Sequence, residues 1–186
     1  MDQALTDQYF IDKKRVRASF DRAANTYDAA AVLQKLVREE MFSRLDLIKV
    51  KPHTILDAGC GTGHGSFELQ KRYKSSQVFS LDLAFGMLQK THAQQSFLNK
   101  LLRPKRLICA DIENLPIADN SMDVVWSNLA IQWCNDLDKS FTEISRLLKP
   151  NSLFMFSTFG PDTLKELRAA TSNGETHVSR FIDMHD

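Results

Sequence analysis

A glycine-rich loop that directly follows a short apolar run is the first candidate for chemistry. Residues 55–65 read I-L-D-A-G-C-G-T-G-H-G, with glycine at every second position from Gly59 to Gly65. Glycine lets the backbone adopt positive φ angles and lets a ligand approach the main chain closely. Helix-favouring residues follow at 66–72. A strand, a glycine turn and a helix N-terminus are typical of the nucleotide-binding entry of an α/β sheet.

The acid in front of this loop indicates which nucleotide it binds. Dinucleotide loops follow G-x-G-x-x-G, but the sixth position counted from Gly59 is His64. Asp57 at the strand end would repel a diphosphate, which needs bare amides and a positive helix end. S-adenosylmethionine (SAM) has no phosphate and carries an ammonium and a sulfonium group, so a carboxylate suits it. The pattern predicts a SAM loop containing Asp57, Gly59, Gly61 and Gly63, although glycines that only turn the chain look the same.

Two further acids end the next two predicted strands. Asp82, followed by Leu83, lies about twenty residues after the glycine loop, where a carboxylate accepts both ribose hydroxyls. Asp111 is placed to accept from an adenine amino group, while the amide of Ile112 faces a ring nitrogen. Each acid alone is equally well explained as a cap or a surface residue. Together with Asp57 they mark three successive strand ends at one carboxyl edge, which predicts SAM binding.

The fourth predicted strand runs into a segment with two tryptophans. Residues 126–134 read W-S-N-L-A-I-Q-W-C. We expect Trp126 in the core, and we expect Asn128 and Trp133 to line the site where a transferred methyl group would emerge. Aromatic residues are common in cores, so a core position is the alternative for Trp133.

Alternating strands and helices position these residues. Helices are predicted at 13–21 and 29–47, before a break at Lys51-Pro52. The following strands and helices imply a mainly parallel α/β sheet with covered faces: strands 54–58, 77–82, 106–110, 122–128 and 152–158, and helices 64–72, 84–96, 136–148 and about 161–171. We expect two regions, a helical lid or substrate region at 1–50 and a SAM-binding α/β domain at 51–186.

Composition excludes several classes of protein. With 186 residues, 43% of them hydrophobic and 25% charged, the chain suits one globular domain. A net charge of +1 gives no field that attracts nucleic acid, and we expect no nucleic-acid partner. The three cysteines favour reduced thiols, and the five histidines have no metal-ligand spacing, so we expect no metal. We find no signal peptide or membrane span in the sequence, which predicts a cytoplasmic protein without a membrane partner.

Several segments resemble known families. The glycine loop, Asp82, Asp111 and the R-L-L-K-P turn at 146–150 resemble class I SAM-dependent methyltransferases, which implies their Rossmann-like sheet. Over about residues 15–186 the chain looks like the malonyl-acyl-carrier-protein O-methyltransferases of biotin synthesis. The segments that carry this likeness are F-D-R-A-A with Y-D at 20–28, N-L-A-I-Q-W at 128–133, F-S-T-F-G-P-D-T-L at 156–164 and H-V-S-R-F-I-D-M-H-D at 177–186.

The chain departs from this family in two places. The glycine pair expected after L-K-P is Asn151-Ser152, and we expect the turn to persist because asparagine tolerates the left-handed conformation. Family members continue into further strands, whereas no strand is predicted here after residue 158. We therefore expect a sheet truncated after its fifth strand.

The resemblance implies a reaction and its site residues. SAM would methylate the free carboxylate of malonyl carried on acyl carrier protein, and this carboxylate is already ionised at neutral pH, so no general base is needed. Our hypothesis is that Arg180, with His177, orients the carboxylate. Trp133 would line the site, and Tyr27 would fold over SAM as part of a lid, with a core tyrosine as the alternative.

Acyl carrier protein is acidic, so a basic docking surface is expected. Two clusters of basic residues qualify: Lys13, Lys14, Arg15, Arg17 and Arg22, or Lys100, Arg103, Lys105 and Arg106. Three other functions stay open. They are methylation of a small molecule such as a quinone precursor, SAM binding without turnover, and, least expected because of Asp57, nicotinamide chemistry.

Overall fold

The structure, a computed structural model, describes residues 10–94, 106–160 and 163. Its centre is a five-stranded sheet in which every pair of neighbouring strands is parallel. The strand order is β3-β2-β1-β4-β5, and the strands are β1 Thr54–Ala58, β2 Gln77–Asp82, β3 Arg106–Cys109, β4 Met122–Asn128 and β5 Leu148–Ser157. The prediction of a parallel α/β sheet is confirmed.

Helices cover both faces of this sheet, and the first three of them precede it in the chain. They are α1 Lys13–Ala23, α2 Tyr27–Ala30, α3 Val32–Leu45, α4 His64–Arg72, α5 Phe85–Ala93 and α6 Leu137–Leu147, with a 3₁₀ turn at Ile131–Trp133. A helix covers most of the range predicted at 29–47, but its continuity is wrong, because Ala31, with a ψ of 39°, separates α2 from α3. Within the described ranges no helix has the length and apolar character needed to cross a bilayer.

Strand β5 begins four residues earlier than its predicted start at 152, because Leu148 already pairs with Met122 of β4. The register then shifts, and regular pairing resumes at Leu153 with Val124. Asn151 lies within this irregularity with a φ of 62°, which confirms that asparagine supplies the left-handed turn. The helix predicted at about 161–171 falls outside the described residues except for residue 163.

Alternate residues of the strands build two cores. Leu56 and Val125 point to the face covered by α6, whereas Ile55 and Val124 point to the opposite face. On that opposite face Trp126 is fully buried and stacks on Phe42 at 4.5 Å between ring centroids, as expected of a core residue. Helix α3 contributes Met41 and Leu45 to this second core. Helix α3 before β1 is therefore packed on the sheet, and the functional division at residue 50 stays a prediction.

Candidate cofactor site

The glycine loop leaves the carboxyl end of β1 as a tight, left-handed turn. Gly59, Gly61 and Gly63 have φ angles of 79°, 55° and 91°. The amides of Gly59 and Cys60 both donate to the carbonyl oxygen of Leu81 at 2.8 Å, and the amide of Gly63 donates to Cys60 at 2.9 Å. These bonds fasten the loop to the end of β2 and fix its shape.

The fourth loop amide is also satisfied within the protein. Gly61 donates to Oδ2 of Asp82 at 2.8 Å. A pyrophosphate cradle needs several bare amides at the helix N-terminus, and here those of Gly59, Cys60, Gly61 and Gly63 already have acceptors. These four positions of the loop therefore offer no bare amide to a pyrophosphate.

Asp82 is held rigidly at the end of β2. Its Oδ1 accepts from the amide of Ala84 at 2.8 Å, while Oδ2 accepts from Gly61. Burial raises the pKa of the Asp82 carboxyl, and the bonds from the Ala84 and Gly61 amides oppose this increase. Asp82 and Leu83 line a largely apolar cavity, so a fixed carboxylate faces the space where the ribose was predicted.

Asp111 lines the same cavity but has a partner that the sequence did not predict. Its Oδ1 accepts from Nζ of Lys13 at 3.0 Å and from the Glu113 amide at 3.1 Å. Lys13 also contacts Glu113 Oε1 at 2.9 Å. Although burial alone would lower it, the pKa of Lys13 is raised by its hydrogen bonds to Glu113 and Asp111. Lys13 therefore ties α1 to the site, and its assignment to a docking surface was wrong.

Asp57 lies deeper than the other two acids. Its side chain is buried, Oδ2 accepts from the Ser66 hydroxyl at 2.6 Å, and Ser80 donates to that hydroxyl at 2.7 Å. Burial raises the pKa of Asp57 to about 7, and the Ser66 hydrogen bond only partly offsets this. Asp57 lines a second cavity, next to the one lined by Asp82 and Asp111.

The two cavities adjoin. The first has a volume of about 180 Å³ and the second of about 680 Å³. Sites for small molecules commonly have about 300–1,000 Å³. The second cavity lies in this range but lacks Asp82, the predicted ribose acid, and the first includes Asp82 but is too small by itself. The residues that line both are Tyr27, Gln34, Gly59, Gly61 and Asn128. The three acids thus face one composite site with two compartments, which we call the nucleoside cavity (containing Asp82 and Asp111) and the Asp57 cavity.

Aromatic residues from the N-terminal helices cover the nucleoside cavity. Phe20 of α1 packs edge-on against Trp133 at 5.4 Å and against Tyr27 at 6.2 Å. Tyr27 stands at the junction of the two cavities, where its ring lies 3.9 Å from an ideal Cβ on Gly61. Burial raises the pKa of Tyr27, and the charges of Asp82 and Asp28 add to the increase. The geometry agrees with a cover over the site, and the roles predicted for Tyr27 and Trp133 stay predictions.

The remaining described residues of the predicted cofactor site are Ile112, Asn128 and Gly63, and their surroundings differ. Ile112 lines the nucleoside cavity. Asn128 lines both cavities, but its Nδ2 donates to the Gln34 carbonyl at 3.0 Å and its Oδ1 accepts from Ser157 at 3.0 Å, so it also joins α3 to β5. Gly63 packs against Thr91, whose Cγ2 is 2.6 Å from the position of an added Cβ.

The two residues proposed to orient the carboxylate lie outside the described part of the chain. Arg180 and His177 both fall beyond residue 163, so their hypothesis is untested. Of the second basic cluster, the described part includes Arg106, whose guanidinium stacks over Phe79 at 5.3 Å.

Two polar residues of the site have a buried atom without a hydrogen-bond partner, and sequence reasoning missed one of them, Arg38. Gln132 lines the nucleoside cavity, and its buried Oε1 has no hydrogen-bond partner among the described residues. Arg38 lines the Asp57 cavity, and its buried Nε has no hydrogen-bond partner among the described residues. A signal for Arg38 was present, because Gln34 and Arg38 are one helical turn apart beside the apolar series that includes Met41 and Leu45.

A strained residue also marks this edge of the sheet. Leu129, directly after β4, has a φ of 50° and lines the nucleoside cavity. Its amide donates to the Ser157 carbonyl at 3.1 Å, which holds the conformation in place. A non-glycine residue in this region costs about 1–3 kcal/mol, and such residues cluster at functional sites.

Known proteins of similar sequence and structure define the class. The methyltransferase domain family matches residues 56–156, which is more than half of the chain and includes the glycine loop and all three acids. The chain therefore belongs to the methyltransferase domain family. A methyltransferase from Haloferax volcanii, solved with the Trm112 methyltransferase activator, has the same fold, with a TM-score of 0.70 at 22% identity over 88% of this chain and 69% of that one. The fold is that of class I SAM-dependent methyltransferases.

Curated relatives are more specific. The malonyl-[acyl-carrier protein] O-methyltransferase of Methylovorus sp. (strain MP688) is 65% identical over 184 residues, which cover 97% of this chain and 62% of that protein. The protein of the same name from Gallionella capsiferriformans is 52% identical over 97% of this chain and 63% of its own length. The chain thus spans a little under two thirds of the length of these relatives.

Proposed function

We propose that this protein uses SAM to methylate the free carboxylate of malonyl-acyl-carrier protein, giving the methyl ester that enters biotin synthesis. The observation that carries the proposal is 65% identity to the Methylovorus enzyme across 97% of this chain. The identity extends well beyond the general methyltransferase domain at 56–156. It includes the N-terminal helices that cover the site.

The residues present fit SAM. Asp82 and Asp111 face an apolar cavity suited to a nucleoside, and Asp57 faces the adjoining cavity. A ligand that carries positive charge and no phosphate matches three acids and a loop whose amides are already bonded. When bound, SAM supplies an electrophilic methyl group. Its nucleoside would lie against Asp82, Leu83, Asp111 and Ile112, and its amino-acid end would lie towards Asp57.

The chain's own groups then have to position the acceptor and keep water out. A malonyl carboxylate is ionised at neutral pH, so the site needs no proton acceptor. Phe20, Tyr27 and Trp133 form an aromatic cover, which suits exclusion of water from the carboxylate. In-line positioning of acceptor and donor supplies the remainder of the rate enhancement.

A cation is needed to orient the acceptor carboxylate, and we assign this role to Arg180, assisted by His177. Both belong to the segment at 177–186 that resembles the family. We expect Arg180→Ala to lower turnover of malonyl-acyl-carrier protein while leaving SAM affinity unchanged. Unchanged turnover would remove Arg180 from this role.

Incubation of the protein with malonyl-acyl-carrier protein and methyl-labelled SAM tests the function. Labelled methyl ester on the carrier protein is the expected product, and acetyl-acyl-carrier protein, which has no free carboxylate, should stay unlabelled. Calorimetric titration with SAM accompanies this assay. SAM binding without label transfer would favour a binding role, and absence of SAM binding would overturn the cofactor assignment.

A further inference from the structure

Two residues that line the Asp57 cavity carry a buried side-chain donor without an acceptor. Nε of Arg38 and Nε1 of Trp126 each have no hydrogen-bond partner among the described residues. A buried donor left unpaired costs about 1–3 kcal/mol, and more when the group is charged. Arg38 thus places a charged guanidinium, incompletely bonded within the protein, at the wall of a cavity that a ligand can enter.

Arg38 is well placed to meet such a ligand. It projects from α3, and its side chain is only 13% exposed. Its nearest carboxylate is Glu68, with Oε1 at 3.5 Å from Nε, too long and too poorly aligned for a hydrogen bond. The guanidinium is thus enclosed and only loosely paired. A planar guanidinium with several donors in a fixed fork is the side chain best suited to a carboxylate.

The other charged groups around this cavity are paired or more exposed. Lys35, the other lysine or arginine that lines this cavity, has a side chain that is 64% exposed, and its Nζ lies 3.9 Å from Oε1 of Glu39. His64 lies 3.3 Å from Asp28 at the rim. Asp57 is the most buried acid of this cavity and Arg38 its least exposed cation, so a carboxyl group and a guanidinium lie around the same space. A free amino acid end, with its ammonium and its carboxylate, has the complementary pair.

We propose that Arg38 binds the carboxylate of the cofactor's amino-acid end, while Asp57 faces the ammonium. This assignment rests on the proposed use of SAM and adds a residue that recognises one particular group of it. It also accounts for the division of the site into two cavities. The nucleoside end lies in the apolar cavity with Asp82, and the zwitterionic end lies in the cavity lined by Asp57 and Arg38.

Removal of the carboxylate from the ligand and of the cation from the protein gives a clean test. Binding of SAM, decarboxylated SAM and methylthioadenosine is measured by calorimetry for the wild type and Arg38→Gln. Loss of a hydrogen bond to a charged group corresponds to about a tenfold to a hundredfold loss of affinity. We expect that loss for SAM, which has the carboxylate, and no loss for decarboxylated SAM or methylthioadenosine, which lack it.

Matched controls separate recognition from packing and from overall charge. Lys35→Gln removes one positive charge at the rim of the same cavity and should change SAM affinity less than threefold. Glu68→Gln removes the neighbouring acid and should leave SAM binding intact. Arg38→Lys keeps the charge but not the fork, so its loss for SAM should be intermediate, and this variant replaces Arg38→Gln if that protein does not fold.

The outcomes are distinct. Equal loss of all three ligands in Arg38→Gln would mean that Arg38 only holds the fold, and unchanged SAM affinity would mean that it does not contact the ligand; either result overturns the assignment. Failure of the wild type to bind SAM, with normal folding by circular dichroism, would instead overturn the proposed function. Selective loss of the ligand that carries a carboxylate supports the assignment.

Discussion

At the scale of single residues, the site depends on carboxylates that the fold holds in different surroundings. Asp82 is held by two backbone amides, Asp111 shares a lysine with Glu113, and Asp57 lies behind Ser66 with little access to water. Asp57 is the most buried of the three, and burial raises its pKa to about 7.

This pKa makes stability depend on pH in an unusual direction. Between an ordinary value of 3.8 and about 7, the folded chain holds a proton on Asp57 that the unfolded chain has released. The free energy of unfolding should therefore fall as pH rises through this window and level off above it. Asp57→Asn should lack this decrease, and urea unfolding of both proteins from pH 4 to pH 8 measures it.

The neighbouring hydroxyl provides a control for that experiment. Ser66 donates to Asp57 at 2.6 Å and lowers the pKa of that carboxyl. Ser66→Ala should consequently extend the decrease in stability to higher pH. Parallel curves for the wild type and Asp57→Asn would contradict the assigned pKa.

At the scale of elements, the connection from β1 to α4 is tightly constrained. Gly59 has a φ of 79°, and an added Cβ would lie 2.2 Å from Cβ of Ala130, which follows β4. The segments that follow β1 and β4 thus lie so close together that no side chain fits at position 59. The turn is shaped by packing within the sheet as much as by a ligand.

Gly59→Ala should destabilise the protein for two separable reasons. A left-handed alanine costs about 1–2 kcal/mol and overpacking about 1–3 kcal/mol, so we expect a loss of at least about 2 kcal/mol in urea unfolding. Adding Ala130→Gly should recover the packing part and leave the backbone part. Gly160→Ala, with no atom within 4 Å of the new Cβ, should be close to neutral. Full recovery in the double variant would contradict the role of φ.

The sequence predicted these elements better than their contacts. All five predicted strands are present, and the acids predicted at strand ends lie at one edge, because a parallel sheet brings its strand ends together whatever the side chains do. The inward turn of Lys13 was not predictable, since a cluster of basic residues does not indicate which one reaches a buried acid. The break at Ala31 was missed because alanine itself favours helix.

At the scale of the whole molecule, α1 presents two different faces. Lys13, Val16 and Phe20 turn towards the nucleoside cavity. The remaining basic residues of the first cluster are exposed: Lys14, Arg15, Arg17 and Arg22. The same helix thus covers the proposed cofactor and offers positive charge to an approaching partner.

Reversal of charge on this outer face should slow the reaction with malonyl-acyl-carrier protein but not the reaction with a substrate that lacks the carrier. We expect Lys14→Glu with Arg15→Glu to lower the methylation rate at subsaturating malonyl-acyl-carrier protein by about tenfold at low salt, because surface charges steer association. The rate with malonyl-pantetheine, which lacks the carrier, should not change. The difference should shrink as the Debye length falls from about 10 Å at 0.1 M salt to about 3 Å at 1 M.

A variant with the same change of charge elsewhere completes this comparison. Lys49 and Lys51 are exposed and precede β1, at the opposite edge of the sheet. Lys49→Glu with Lys51→Glu should leave the carrier reaction unchanged. Equal effects of the two double variants would point to overall charge rather than to docking on α1.

The bonded amides of the glycine loop have one more consequence. Because Gly59, Cys60 and Gly61 donate to Leu81 and Asp82 of the protein itself, the loop needs no ligand to keep its shape. The cofactor and its demethylated product would then contact the loop in the same conformation. We expect the rate of exchange between cofactor and product to be limited by movement of α1, which carries Phe20, and of the neighbouring Tyr27 away from the cavity.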